Sequence, residues 1–241
     1  MGIKLSSIFK HKALTFAGKP NIQGYILPEQ TPDVFVRQTS STIKKNLPKL
    51  DLKLYEYDRA GQAEEHEYRM ELFGDESPLP PMKEVSKAQL RAVNQVQWEM
   101  DEYSDCQRKL KNHEPLNQAE LEFLHGILSA MEPVEEDTVL YRTIEPYEGF
   151  EEQVNHGELS FDCLTSTNCR YDDFFGFWSN PILLKINVPK GFKTLDCNVK
   201  HKKHGPRMRT EVVLPPSKAR VDNIDNEHKI IEVTLTEEQY I

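Results

Sequence analysis

The chain has 241 residues, 38% hydrophobic and 29% charged, a composition typical of one globular domain with a substantial core, or of one domain with a small appendage. Its formal net charge of −9 argues against a protein that binds nucleic acid over its whole surface. No apolar run approaches the roughly 20 residues that a membrane-spanning helix needs, so we expect no membrane segment and no signal peptide. Four cysteines without a secretory signal favour reduced thiols in a cytoplasm over a disulfide framework.

The first 81 residues carry weak patterns. Leu52–Tyr57 alternates with a period of two, as in a β-strand, and residues 64–73 are compatible with a short helix. The segment Ser77-Pro78-Leu79-Pro80-Pro81 can neither continue a helix nor pair centrally in a sheet, so it marks a boundary. We therefore predict an N-terminal extension over 1–81 and a main domain over 82–241.

A pair of helices is predicted directly after this boundary. Ser86 and Gln89 form a capping box, and apolar residues then recur at steps of three and four as far as Leu110, the pattern of one long amphipathic helix. Asn117 and Glu120 cap the second helix in the same way. Its apolar stripe consists of Leu121, Leu124, Leu128 and Met131.

From Thr138 onward the pattern changes to short β-rich segments separated by turn residues such as Asn180-Pro181. The clearest of these segments are 139–142, 160–164, 182–188, 212–214 and 230–235. Too few helices lie between them for a doubly wound sheet, so we predict two packed, mostly antiparallel sheets after the helical pair. The predicted fold class is α+β.

Polar residues suited to catalysis follow or begin several of these strands. Arg142 ends an apolar strand, where a guanidinium can hold a phosphate through two hydrogen bonds. The hydroxyls of residues 165–167 can cap backbone groups, line a polar cleft or orient a carboxylate. Glu211 lies where a loop runs into the strand 212–214. A carboxylate there can stabilise positive charge that develops on a ribose during glycosyl transfer.

The loop before Glu211 is strongly basic within an acidic chain. Its cations are Lys200, Lys202, Lys203, Arg207 and Arg209. Such a run is either a solvated loop or a local site for an anionic partner, whether the phosphates of a nucleic acid or an acidic protein surface. The loop lacks aromatic residues that would stack on bases, which weakens the nucleic-acid alternative. Cys197, His201 and His204 lack a fourth ligand, so we predict no metal site.

The order of a strand-end arginine, a hydroxyl triplet and a glutamate leading into an apolar strand and prolines resembles mono-ADP-ribosyltransferases of the Arg-Ser-Glu class, found in bacterial toxins and bacteriophages. The segments Pro181–Gly191, EVVLPPSKARVDNI at 211–224 and Lys229–Val233 support the resemblance, which covers roughly Val85 to the C-terminus. It implies an ADP-ribosyltransferase fold, with NAD as co-substrate and transfer of ADP-ribose to a macromolecular acceptor.

The resemblance also implies roles for individual residues. Glu211 would be the catalytic acid, steadied by the hydroxyl of Thr165, and Arg142 would contact the NAD phosphates. The rest of the NAD site would consist of Tyr141, Ser166, Thr167 and Phe177. The basic loop would bind the acceptor.

Several positions depart from the family pattern. Arg209 stands where the family usually has an acidic or amide residue, which argues against arginine as the modified group and slightly favours RNA or DNA over protein as acceptor. Asn180 replaces a second NAD-contacting arginine, and Thr165 replaces the usual serine, so the affinity for NAD stays open.

Hypotheses of different classes follow. The first is an NAD-dependent ADP-ribosyltransferase in the cytoplasm of a bacterial host, a toxin-like or phage-delivered effector held in check by an antitoxin or other inhibitor. The second is a non-catalytic module that uses the basic loop 200–209 to bind nucleic acid or an acidic protein. The third is an NAD glycohydrolase, in which water is the acceptor.

Overall fold

The computed structural model describes residues 47–52, 59–75, 77–172, 182–200 and 209–238, and the strands β1 (Pro20–Asn21) and β2 (Tyr25–Ile26). The chain forms two compact units. The smaller, Met1–Phe35 with Tyr240–Ile241, contains the antiparallel pair β1–β2. The larger, Val36–Gln239, contains all other described elements.

The helices of the larger unit are α1 (Arg59–Phe73), α2 (Lys87–Gln97), α3 (Met100–Lys111), α4 (Gln118–Leu128) and α5 (Phe150–His156). The helix predicted over 64–73 is confirmed by α1. Both predicted capping boxes are present, on α2 and α4. None of the described helices is long and apolar enough to cross a membrane.

The prediction of a single long helix after Ser86 is wrong, because the helix is interrupted between Gln97 and Met100. The N–H groups of Trp98 and Glu99 both donate to the carbonyl of Asn94, which ends α2 before α3 begins. The apolar stripe continues across the break in sequence, so periodicity alone could not reveal it. Met100, which the stripe includes, is exposed.

The strands of the larger unit are β3 (Glu132–Pro133), β4 (Thr138–Ile144), β5 (Glu158–Phe161), β6 (Thr165–Asn168), β7 (Ile182–Val188), β8 (Lys193–Asp196), β9 (Glu211–Leu214), β10 (Ser217–Asp225) and β11 (Ile230–Glu238). They form a nine-stranded sheet in the order β3-β8-β9-β6-β4-β7-β11-β10-β5. Strands β7 and β11 pair in parallel, and the other described pairs are antiparallel. The α+β class is confirmed.

The nine strands form one continuous mixed sheet, whereas the prediction was of two packed, mostly antiparallel sheets. Its two halves meet where Tyr141 of β4 pairs with Asn168 of β6. Residues from both halves share one hydrophobic core: Val212 and Leu214 of β9 belong to the same cluster as Leu184 of β7. The halves therefore pack against each other, as the prediction required, but they are joined through β4 and β6.

The proline-rich segment predicted as a boundary runs along the larger unit. Asp75 N donates to Tyr171 O at 3.1 Å, and Lys83 N donates to Asn198 O at 2.9 Å. Helix α1, which precedes this segment, belongs to the same compact unit as the sheet. The domain boundary at residue 81 stays a prediction, and most of the predicted strand Leu52–Tyr57 lies outside the described residues.

Candidate active site

The register between β6 and β9 decides which polar side chains can meet Glu211. Asn168 lies opposite Glu211, Ser166 opposite Val213, and Thr165 opposite Leu214. Directly opposite residues share a face of the sheet, and successive residues alternate between faces. Glu211 and Ser166 therefore lie on one face, and Thr165 lies on the other with the core residue Leu214.

Glu211 is a buried carboxylate, only 8% exposed, that the side chain of Gln97 on α2 contacts. Its Oε2 atom accepts a hydrogen bond from Gln97 Nε2 at 2.9 Å. The Cys197 thiol, which donates to Leu195 O at 3.9 Å, lies near this carboxylate, and burial first, then the charge of Glu211, raises the pKa of that thiol well above its usual range. The backbone is fixed as well, because Cys197 N donates to Glu211 O at 3.0 Å.

Arg142 and Tyr103 lie near Glu211 and contact Ser166. Arg142 Nη1 donates to the carbonyl of Ser166 at 2.5 Å. The Ser166 hydroxyl hydrogen-bonds to Tyr103, a buried residue of α3. Burial raises the pKa of Tyr103 and lowers the pKa of Arg142, and the negative charge of Glu211 acts on both groups. An anion, a cation and a phenol thus form one electrostatically connected cluster.

Helix α3 is fixed to the start of β6 by Gln107. Its Oε1 atom accepts from Leu164 N at 3.1 Å, and its Nε2 atom donates to Leu164 O and, at 3.2 Å, to the Tyr103 hydroxyl. These bonds place Tyr103 over Ser166. The site is therefore assembled from α2, α3, β4, β6 and β9, with Cys197 just after β8.

This arrangement is suited to chemistry on a phosphorylated sugar. A guanidinium carries five N–H donors, so Arg142 can hold the Ser166 carbonyl and an anionic ligand at the same time. A buried carboxylate interacts more strongly with a developing positive charge than one in water. Within the described part of the chain, no group of three or more His, Cys, Asp or Glu side chains is placed to hold a metal ion.

Comparison with solved structures identifies the architecture. BECa, the ADP-ribosylating toxin of a binary enterotoxin of C. perfringens, solved with NADH, superposes with a TM-score of 0.50 at 17% identity over 78% of this chain and 50% of that one. The chain has an ADP-ribosyltransferase fold. It spans about half the length of BECa.

Two other solved structures are similar at lower TM-scores. The structure of C3stau2 of S. aureus with NAD has a TM-score of 0.48 and 14% identity, over 79% of this chain and 100% of that one. The Clostridium limosum C3 exoenzyme has a TM-score of 0.47 and 17% identity, over 80% of this chain and 99% of that one. The sequence matches no family model and no curated protein.

On this ADP-ribosyltransferase fold, the hydrogen bond expected from Thr165 to Glu211 is wrong. The Thr165 hydroxyl donates to Cys163 O at 3.1 Å, on the core face of the sheet. Thr167 lies on the same face and donates to Val212 O at 2.6 Å. Of the three hydroxyls, that of Ser166 shares the face of Glu211.

Tyr141 does not join Arg142 in the cluster, although the two residues are adjacent in sequence. Its ring packs against Phe73 and Tyr171, with ring centroids 5.8 and 6.1 Å away, in a second small core beneath α1. Neighbours along a strand point to opposite faces. By register Tyr141 lies opposite Asn168, and so on the side of Glu211, whereas Arg142 lies on the other face of β4 and reaches the backbone carbonyl of Ser166.

The two described cations of the basic loop, Lys200 and Arg209, contact other residues of the same chain. Arg209 donates to Asn198 Oδ1 at 3.0 Å and to Pro80 O at 2.6 Å. Lys200 Nζ forms an ion pair with Glu84 Oε1 at 3.1 Å. Their role in acceptor binding stays a prediction. Lys202, Lys203, Arg207 and Phe177 lie outside the described residues.

Three residues of the cluster were not predicted as site residues. Gln97 and Tyr103 belong to the helical pair, where Tyr103 reads as part of the apolar stripe. Cys197 was weighed as a metal ligand only. A buried glutamine at the last position of a helix carries no local signal, because its partner lies 114 residues away in sequence.

Proposed function

We propose that this protein is a mono-ADP-ribosyltransferase that cleaves NAD at the nicotinamide glycosidic bond and transfers ADP-ribose to a macromolecular acceptor. The observation that carries the proposal is the buried Glu211 carboxylate, held by Gln97 and electrostatically coupled to Arg142. The ADP-ribosyltransferase fold, shared with a toxin solved with NADH, supports it.

The proposed reaction uses each member of the cluster. Arg142 binds the diphosphate with the N–H groups that Ser166 does not occupy. Nicotinamide leaves with the electron pair of the C–N bond, and positive charge develops on the ribose. Glu211 accepts a hydrogen bond from the ribose 2′-hydroxyl and stabilises this charge. A nucleophile of the acceptor then forms the new glycosidic bond and loses its proton.

Nicotinamide release from NAD tests the proposal. Glu211→Gln keeps the shape of the side chain and removes its charge, so we expect a loss of about 100-fold or more in rate. Glu122→Gln, at an exposed position of α4, is the matched control and should retain the parental rate. An unchanged rate in Glu211→Gln, or no release by the parental protein with NAD and a bacterial lysate, would overturn the proposal.

For the acceptor, we propose RNA or DNA ahead of protein. The support is the absence of an acidic residue at position 209 and the cations Lys202, Lys203 and Arg207, since Lys200 and Arg209 are engaged by Glu84, Asn198 and Pro80. Adenylate-labelled NAD is incubated with lysate, and the products are divided among RNase, DNase and protease. Label released only by a nuclease supports a nucleic-acid acceptor, and label released only by protease shows that the acceptor is a protein.

We propose that the enzyme acts as an effector in the cytoplasm of a bacterial cell. All four cysteines are free, which fits a reducing compartment. Expression in a bacterial host should slow growth with the parental chain and not with Glu211→Gln. Equal growth with both chains would contradict an effector role.

A further inference from the structure

Gln97 contacts the proposed catalytic carboxylate from outside the strands that form the centre of the site. It is the last residue of α2 and is only 2% exposed. Its Nε2 atom lies 2.9 Å from Glu211 Oε2. A buried hydrogen bond to a charged group is short-range and directional, so it restricts the orientation of the carboxylate.

Helix α2 holds this amide rigidly. A capping box at Ser86 begins the helix, and its buried face packs against α4 and β8. The helix ends directly after Gln97, because Trp98 leaves the helical conformation at φ −125°. The break between α2 and α3 therefore places Gln97 at the tip of a fixed element that points at the first residue of β9.

The hydroxyls of residues 165–167 are engaged elsewhere. Thr165 donates to Cys163 O, Thr167 donates to Val212 O, and Ser166 hydrogen-bonds to Tyr103. The carboxylate of Glu211 instead accepts from the amide of Gln97, whereas the thiol of Cys197 donates to Leu195 O at 3.9 Å. The amide is a donor that does not titrate.

We propose that Gln97 is a positioning residue for Glu211: its amide fixes one carboxylate oxygen and so directs the other toward the ribose 2′-hydroxyl. This inference rests on the proposed function. Gln97 does not touch the reacting atoms, so it acts on the rate through the orientation of Glu211 and not through binding of NAD.

The test measures nicotinamide release as a function of NAD concentration and pH. Gln97→Met keeps size and removes the donor, and we expect kcat to fall about 10- to 100-fold with KM for NAD changed less than about threefold. The matched control is Gln95→Met, because Gln95 is a buried glutamine on the same helix, 4% exposed, whose Oε1 atom has no partner in the described structure. It should retain the parental kcat.

Gln97→Glu supplies a readout that a merely structural role would not move. A second carboxyl beside Glu211 makes the two groups share a proton, so the acidic limb of the kcat profile should move up by about one pH unit or more. An unmoved limb in Gln97→Glu with parental kcat in Gln97→Met would overturn the proposal. An equal loss of kcat in Gln95→Met would assign the effect to helix packing and overturn it as well.

A stability cycle separates failure of this inference from failure of the proposed function. Gln97→Met, Glu211→Gln and the double variant are unfolded thermally, and the contact predicts non-additive changes in Tm. Non-additive changes without nicotinamide release by the parental protein would show that the contact exists and that the proposed activity is wrong. Additive changes would overturn the positioning role whatever the activity.

Discussion

Arg209 Nε donates to Asn198 Oδ1 at 3.0 Å, and this bond joins the two ends of the loop between β8 and β9. Pro80 O accepts from both residues, from Arg209 Nη2 at 2.6 Å and from Asn198 Nδ2 at 3.2 Å. The proline-rich segment thus contacts both ends of this loop, at Asn198 and at Arg209. Arg209 therefore fixes the chain two residues before Glu211 to Asn198 and Pro80.

Removing the Arg209 guanidinium should destabilise the fold. Arg209→Gln loses hydrogen bonds to Asn198 and Pro80, at a cost of about 1–3 kcal/mol in the free energy of unfolding, measured by urea denaturation. Lys200→Gln removes an exposed ion pair and should cost less than about 1 kcal/mol. If Arg209→Gln leaves stability unchanged but weakens labelling of the acceptor in a salt-dependent way, Arg209 is an acceptor contact.

Substitution of Arg142 should weaken binding of NAD more than it slows the reaction. Lysine presents one ammonium and cannot hold the Ser166 carbonyl and a diphosphate in the way a guanidinium can. Arg142→Lys is expected to raise KM for NAD by about tenfold or more, because about one to two hydrogen bonds to the diphosphate are lost. Arg220→Lys, at an exposed ion pair with Asp222, is the control. An unchanged KM in Arg142→Lys would show that Arg142 does not bind NAD.

Two glycines should respond to alanine with opposite signs. Gly157 ends α5 with φ +85°, a conformation that costs a residue with a Cβ atom about 1–2 kcal/mol, so Gly157→Ala should lower stability. Gly126 lies inside α4, where a Cβ atom would meet Gln95 Oε1 at an ordinary contact of 3.4 Å. Gly126→Ala should gain about 0.5–1 kcal/mol from helix propensity. Thermal unfolding measures both, and changes of equal sign would contradict this account.

The four thiols should differ in reactivity with Ellman's reagent. Cys106 and Cys197 are 1% and 0% exposed, and burial raises the pKa of both, to about 11 for Cys106. Cys169 is exposed and should give the fast phase. Burial around its sulfur raises the pKa of Cys169 too, so the rate should keep rising beyond pH 9. A fast phase that survives Cys169→Ser would show that another thiol is open to solvent.

The turn between β10 and β11 should contribute acid-sensitive stability. Burial by itself raises the pKa of Asp225, but hydrogen bonds from His228 N at 3.0 Å and from the His228 ring at 2.8 Å outweigh it, and the pKa lies below the ordinary value of an aspartate. A carboxyl whose pKa is lowered by folding stabilises the fold at any pH above its unfolded-state pKa. This contribution is lost as the pH falls through its folded-state pKa.

Unfolding free energies measured against pH check this prediction. The difference between the parental chain and Asp225→Asn should be full above about pH 5 and shrink toward about pH 2. His228→Gln keeps the backbone bond and should reduce the pH dependence without abolishing it. A difference that grows on acidification would reverse the assigned sign.

Local chemistry in the sequence determined the features whose partners are close in the chain. The capping residues Ser86 and Asn117 predict the starts of α2 and α4, because a cap bonds a backbone group three residues away. Alternation and turn residues predict an α+β chain. The loop-to-strand junction predicts Glu211 as a held carboxylate, and the ADP-ribosyltransferase resemblance adds Arg142 and Ser166, which the structure brings to the same cluster.

Tertiary structure decided the features that depend on partners far along the chain. Only the register of β6 against β9 assigns Ser166, and not Thr165, to the face of Glu211. Gln97 reaches Glu211 across 114 residues of sequence, and Arg209 is bound by a proline segment that reads locally as a boundary. Periodicity and capping report neighbours within one helical turn or one strand, whereas such contacts arise only when strands and helices pack.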